Sequence, residues 1–148
     1  MISHKPKDYV SPFTRILSCP KESAAEIIYQ NEQAFVCLGL HRYQNCPPSA
    51  LVIPKVAAEN IYVIEPATLS AVVELSQQVA IAMKQLWQLD GITLMQNNEP
   101  AGWQDVWHFH MHVKGRKAGD SMWGAKQERI PQSERAELIA ELREFMIG

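Results

Sequence analysis

Trp107-His108-Phe109-His110-Met111-His112-Val113 sets three of the chain's five histidines at alternate positions among bulky apolar residues. A period of two is the repeat of a half-buried strand, because successive side chains point to opposite faces. Carried upstream to residues 104–113, the pattern puts Gln104, Val106, His108, His110 and His112 on one face. Trp103, Trp107, Phe109, Met111 and Val113 fall on the other. The apolar face packs a core. The opposite face holds three imidazoles, each with a reference pKa of about 6.5 and each able to give or take a proton near neutrality. A lone strand histidine is ordinarily a surface or satisfied core residue; three in alternation, backed by an apolar face, point to chemistry.

Working outward, the 148 residues have the length of one domain, 1–148, with one core and no linker. Hydrophobic residues make up 47% and charged residues 20%, a balance that excludes disorder. No apolar run reaches the ~20 residues of a membrane helix, so no membrane partner is expected. Fourteen basic and 16 acidic residues leave a net charge of −2, which argues against polymeric nucleic acid as a partner. Anion binding must therefore be local. Met1 to Pro20 has no apolar signal core, and the cytoplasm is the expected location. Cys19, Cys37 and Cys46 are odd in number and lack CxxC spacing, which fits reduced thiols rather than a disulfide frame or zinc knuckle.

Residues 1–12 read as a flexible lead-in, followed by a short helical turn at 13–17. Residues 26–29 and 34–40 are apolar and β-prone around a polar turn, the pattern of a hairpin. Paired Pro47 and Pro48 make 41–49 a loop, and a strand at 50–53 ends at Pro54. After an extended piece at 61–64, a helix is predicted over about 66–89, opened by Pro66 and carried by a Leu69, Val72, Val73, Ser76, Ala80, Met83 stripe. Asp90-Gly91 turns the chain into a strand at 92–96, and residues 97–102 loop back to the histidine strand. Residues 114–130 read as a basic, glycine-containing loop and 131–147 as an amphipathic C-terminal helix. Together these elements describe an α+β fold of antiparallel sheet and helices.

Two chemistries suit alternating histidines. As metal ligands, all three would need nitrogens about 2.0–2.1 Å from one ion, whereas i and i+4 on a strand lie about 13 Å apart, so the strand would have to bend. His4 and His41 offer no HxxxH or HxxE context for a further ligand. As phosphoryl-transfer groups they fit more naturally: a neutral imidazole is a good nucleophile near pH 7, and a neighbouring one can bond a phosphoryl oxygen or protonate a leaving group. Gln104, Asn97 and Arg116 can supply donors for charge developing on phosphoryl oxygens.

Gln104-Asp105-Val106-Trp107-His108-Phe109-His110-Met111-His112-Val113 resembles the signature of the histidine triad (HIT) family of nucleotide hydrolases and transferases. Met95-Gln96-Asn97-Asn98, Leu51-Val52-Ile53-Pro54-Lys55 and Gly115-Arg116 extend the likeness over roughly residues 13–116. The resemblance implies a five-stranded antiparallel sheet, commonly paired into a homodimer, with a nucleotide or nucleotide conjugate bound beside the triad. It gives His110 the attack on the α-phosphorus that forms a nucleotidyl-histidine, later hydrolysed by water. His112 would bond the phosphoryl or leaving oxygen and His108 would orient the nucleophile, while Gln104 and Asn97 match phosphate- or ribose-contacting positions. No metal or other cofactor is implied. The implied substrates are nucleotidyl phosphoramidates or (di)nucleoside polyphosphates; the alternative is a dimeric nucleotide-binding module with weak or lost catalysis. The chain departs from the family pattern in several places, among them Trp103 and Glu99 where the family has glycines. Pro48-Ser49-Ala50 replaces the usual Gly-His before the Pro-Lys strand, so a supporting histidine is missing. Leu38-Gly39-Leu40-His41-Arg42 offers no acid for a ribose, and His41 is the candidate to replace part of the absent histidine. Asp105 stands where a hydroxyl is common, and strand parity points it away from the histidines. Beyond the motif, Lys117 reads as a clamp or a solvated turn, and Trp123 as a cover for base or core.

Overall fold

The computed structural model describes residues 2–148. In chain order it comprises α1 (Pro12–Ser18), α2 (Pro20–Glu26), β1 (Tyr29–Gln30), β2 (Ala34–Leu38), β3 (His41–Tyr43), β4 (Ala50–Pro54), α3 (Pro66–Leu86), β5 (Gly91–Met95), β6 (Met111–Arg116), β7 (Gln127–Arg129) and α4 (Gln132–Ile147). Proline opens α1, α2 and α3, where its missing N–H costs no intrahelical bond. Ser11 caps α1, its Oγ accepting from the Phe13 and Thr14 amides.

β1, β2, β4, β6 and β5 lie side by side in that order, antiparallel at every step. β2 is buried along its whole length because both faces of the sheet are covered. On one face Ala34, Val36, Leu38, Val52 and Val113 meet the buried stripe of α3, with Ile139 and Leu142 of α4. On the other, Phe35, Cys37 and Ile53 pack with Phe13 of α1 and with Ile27. Arg135 and Arg143 pin α4 to the sheet by donating to the carbonyls of Leu38, Gly39 and Ile27. The expected α+β architecture, with its five-stranded antiparallel sheet, long helix and C-terminal helix, is the one observed.

Several boundaries move, each for a local reason. Residues 104–110 are not strand: β6 begins at Met111 and continues to Arg116. The Phe109 amide donates to the Ala58 carbonyl instead of to β4, and β4 meets β6 only from Ala50↔Val113 to Val52↔Met111. α3 stops at Leu86, short of 89, as Gln88 adopts φ 47. Residues 61–64 are turns, because the Asn98 and Asn60 side-chain oxygens take the Ile61 and Tyr62 amides. Helix α2, with Glu22 in its first turn, occupies 20–26 and delays the expected strand at 26 until Tyr29. The expected loops at 41–49 and 114–130 each contribute a short strand, β3 and β7, paired as His41↔Arg129 to Tyr43↔Gln127. The lead-in ends earlier than 12, since Ser11 and Pro12 belong to the start of α1.

Candidate active site

Between the Phe35 face of the sheet and the pair α1, α2 lies a cavity of about 750 Å³. Its floor is the residue row formed by Cys37, Leu51 and His112, set opposite one another by the β2, β4 and β6 register. His110, one residue before β6, joins His112 in the lining.

The three histidines have three different surroundings. His108 is wholly buried, with Nε2 2.8 Å from the Pro54 carbonyl and Nδ1 2.8 Å from Ser11 Oγ. A carbonyl only accepts, so Nε2 carries the proton and Nδ1 accepts from the Ser11 hydroxyl. Both nitrogens are spent, and His108 does not line the cavity. His110 donates from Nδ1 to the His108 carbonyl at 2.7 Å, which leaves its Nε2 with a free lone pair. Burial lowers the pKa of both rings, so both are neutral at pH 7. His112 stands 4.8 Å from the His110 ring at 61°. Its pKa is pushed down to about 3, first by burial and then by His110 and Lys114. Phe13 meets the His108 and His110 rings edge-on at 5.5 and 5.1 Å, so α1 clamps the pair.

A HIT-domain family profile matches residues 20–119. The chain belongs to the HIT family. It is 28% identical over 93 residues to an uncharacterised HIT-like protein of Mesomycoplasma hyorhinis, an overlap of 63% of this chain and 82% of that one. Among solved structures it resembles a HIT-like protein of Bartonella henselae involved in cell-cycle regulation, at TM-score 0.77 and 27% identity, with 95% and 99% of the two chains covered. A zinc-bound histidine triad protein of Mycobacterium smegmatis gives TM-score 0.76 at 27% identity, covering 91% of each chain.

Three other positions expected at this HIT site are placed elsewhere. Gln104 is buried, but its amide donates to the Glu59 and Val106 carbonyls at 2.5 and 3.0 Å and accepts from the Glu99 amide at 2.9 Å. Asn97 lies two residues past β5, with Nδ2 3.5 Å from the Trp103 carbonyl. Arg116 forms a two-bond pair with Asp120 at 2.9 Å and reaches Thr93. None of the three lines the cavity that holds His110 and His112. The strand parity that grouped Gln104 with the histidines fails because residues 104–110 are irregular. The same failure reverses the expectation for Asp105, which lines the cavity. His41 also lines it, from β3, whereas Lys117 turns away to the Gln88 carbonyl. Trp123 is 53% exposed and packs edge-on against Tyr43.

Lys114, which the sequence places in a basic loop, is the next residue after His112 on the cavity face of β6 and is only 6% exposed. Its Nζ lies 3.4 Å from Ser49 Oγ and 5.6 Å from the centre of the Tyr43 ring. The period of two that marks the histidines, extended by one more step, points to it. Among the described residues no set of three or more His, Cys, Asp or Glu converges on a metal position, and no helix is long and apolar enough to cross a membrane.

Proposed function

We propose that this protein is a nucleotidyl hydrolase or transferase that cleaves a nucleotidyl phosphoramidate or (di)nucleoside polyphosphate through a nucleotidyl-histidine on His110. One observation carries this reading: the His110 Nδ1–H is given to the His108 carbonyl, so the nitrogen left for the cavity is the basic one. In the first step the Nε2 lone pair forms a bond to the α-phosphorus as the bond to the leaving group breaks; the electron pair goes to the leaving atom, so that a polyphosphate departs as its oxyanion and an amine departs after taking up a proton from solvent. The positive charge that develops on the ring is stabilised through Nδ1–H by the same carbonyl. His112, kept neutral, donates an N–H to a phosphoryl oxygen rather than acting as a charged acid. Water then attacks the phosphorus, the Nε2–P bond breaks with its electron pair returning to His110, and the water's proton passes to solvent.

His108 is a positioning residue in this scheme: Ser11 and Pro54 hold its ring, and its carbonyl aims His110. Gln104 and Asn97 act through the loops they tie together, and Arg116 through the Asp120 turn, rather than as direct phosphate ligands. The chain works as one domain over 1–148, as a homodimer, in the cytoplasm, where the free thiols of Cys19, Cys37 and Cys46 would remain reduced. Replacing His110 with Ala removes the nucleophile, and turnover of a fluorogenic nucleotidyl phosphoramidate and of a dinucleoside polyphosphate should be lost. Mass spectrometry of rapidly quenched wild type should find a nucleotidyl adduct on His110. Unchanged turnover in a folded H110A variant overturns the mechanism. A second reading, binding without efficient turnover, is favoured by Ser49 in place of the family's supporting histidine; tight nucleotide binding with no adduct would select it.

A further inference from the structure

The cavity is lined by several cations, and all but two are matched by acids. Arg42 is bound by Glu128 and Glu134, Arg135 by Glu26 and Arg15 by Glu22. Lys21 stands exposed at the α2 rim. Lys114 alone is buried with no carboxylate on it among the described residues, held only by the long contact to Ser49 and the face of Tyr43. A buried ammonium without a counter-charge is costly, and the deficit is met when an anion enters. Burial lowers its pKa, which is the signature of that cost.

The cavity's two ends differ in chemistry. Phe13, Ile16 and Val106 give the side by α1 an apolar surface suited to a nucleoside, with Asp105 and Arg15 at its margin, while Lys114, Ser49 and Tyr43 make the β3 end polar. His110 and His112 stand between. Lys114 follows His112 by two strand residues, about 6.6 Å of backbone rise, a gap its four-carbon stem can bridge.

We propose that Lys114 and Ser49 form a subsite for a second phosphoryl group, on the leaving-group side of the phosphorus attacked by His110, which makes nucleoside polyphosphates the preferred substrate class. This deepens the nucleotide reading above and rests on it. When the His110 Nε2–P bond forms and the bridging P–O bond breaks, the electron pair goes to the departing phosphoryl oxygen. The ammonium neutralises that oxygen where it stands, and no proton need move.

Calorimetric titration of the full chain with AMP, ADP, GMP and GDP tests the subsite without requiring turnover. Wild type should bind each diphosphate about tenfold tighter than its monophosphate, and Lys114→Met should erase that difference while Lys114→Arg keeps most of it. Methionine removes the charge but fills the same buried space, so K114M should melt at or above the wild-type temperature, separating loss of binding from loss of fold. Turnover supplies the second arm: K114M should lose far more kcat/KM on a dinucleoside polyphosphate than on a phosphoramidate with an uncharged amine leaving group. A diphosphate preference that survives in K114M, or that wild type lacks, overturns the subsite and leaves the His110 mechanism intact. Absence of binding by all four nucleotides overturns the nucleotide reading and the subsite together. A lost preference in K114M with a fully active H110A keeps the subsite and discards the nucleophile.

Discussion

At the scale of single residues, the triad is a set of neutral imidazoles, and that neutrality has a stability consequence. An unfolded histidine takes up a proton at about pH 6.5, whereas His112 in the fold does so only at about 3, with His108 and His110 shifted the same way. Below pH 6.5 the unfolded chain therefore binds protons that the folded chain refuses, and stability falls. Above it the contribution is fully present and flat. Of the charged and titratable groups that line the cavity with His112, His110 and Lys114 push it further down, and Asp105, which favours the charged form of His110, does not overcome the burial that lowers that ring; His41 of β3 completes the set. Urea unfolding at about pH 7.5 and about pH 5 should show wild type losing stability on acidification, and His112→Gln losing about 1–2 kcal/mol less over the same interval. An equal loss in the two proteins would place the titration elsewhere. The residues themselves were legible to different degrees. His110 and His112 follow from alternation alone, but Lys114 was hidden by its company, since Gly115, Arg116 and Lys117 make the stretch look like a solvated turn. Gln104 misled because its type suits phosphate as well as it suits the loop carbonyls that it serves.

At the scale of elements, α1 is built onto the histidines and not merely near them. The Ser11 hydroxyl accepts the Phe13 and Thr14 amides and gives its one proton to His108 Nδ1. Ser11→Ala thus removes a helix cap and leaves a buried ring nitrogen without a donor, a combined cost of about 2–3 kcal/mol measurable by urea unfolding. Amide exchange should quicken across residues 11–19 in this variant, and kcat should fall as His108 and then His110 lose their fixed orientation. A variant as stable as wild type, with unchanged exchange in α1, would show that the cap is not what holds the helix. The periodic elements, β2, β4, β5, α3 and α4, could be read in the sequence because each carries its own apolar face. Residues 104–110 could not, because their conformation is set by carbonyls of Ala58 and Glu59, some fifty positions away in the chain. β3 and β7 were invisible for a related reason: three residues each, they exist only through pairing with one another.

For the molecule as a whole, the two edges of the five-stranded sheet are unequal. β1 is two residues long and α4 packs beside it, whereas β5 offers five residues with no strand on its outer side among the described residues. Leu94 on that edge is 48% exposed, and Trp103, whose carbonyl meets Asn97 just past β5, is 71% exposed. A long uncovered edge with apolar side chains is a template for another strand, and a second copy turned through a two-fold axis supplies one antiparallel to it. Such pairing would join two sheets through the strand that is bonded directly to β6, with Met95 opposite His112, so the interface would brace the catalytic strand in both subunits. Sedimentation velocity should accordingly give twice the 16.8 kDa chain mass for wild type. Leu94→Lys places a charge on the edge, a device that strands use against pairing, and should shift the population to monomer with the fold retained and turnover reduced. A monomeric wild type would remove the dimer, and a dimer undisturbed by L94K would move the interface away from β5.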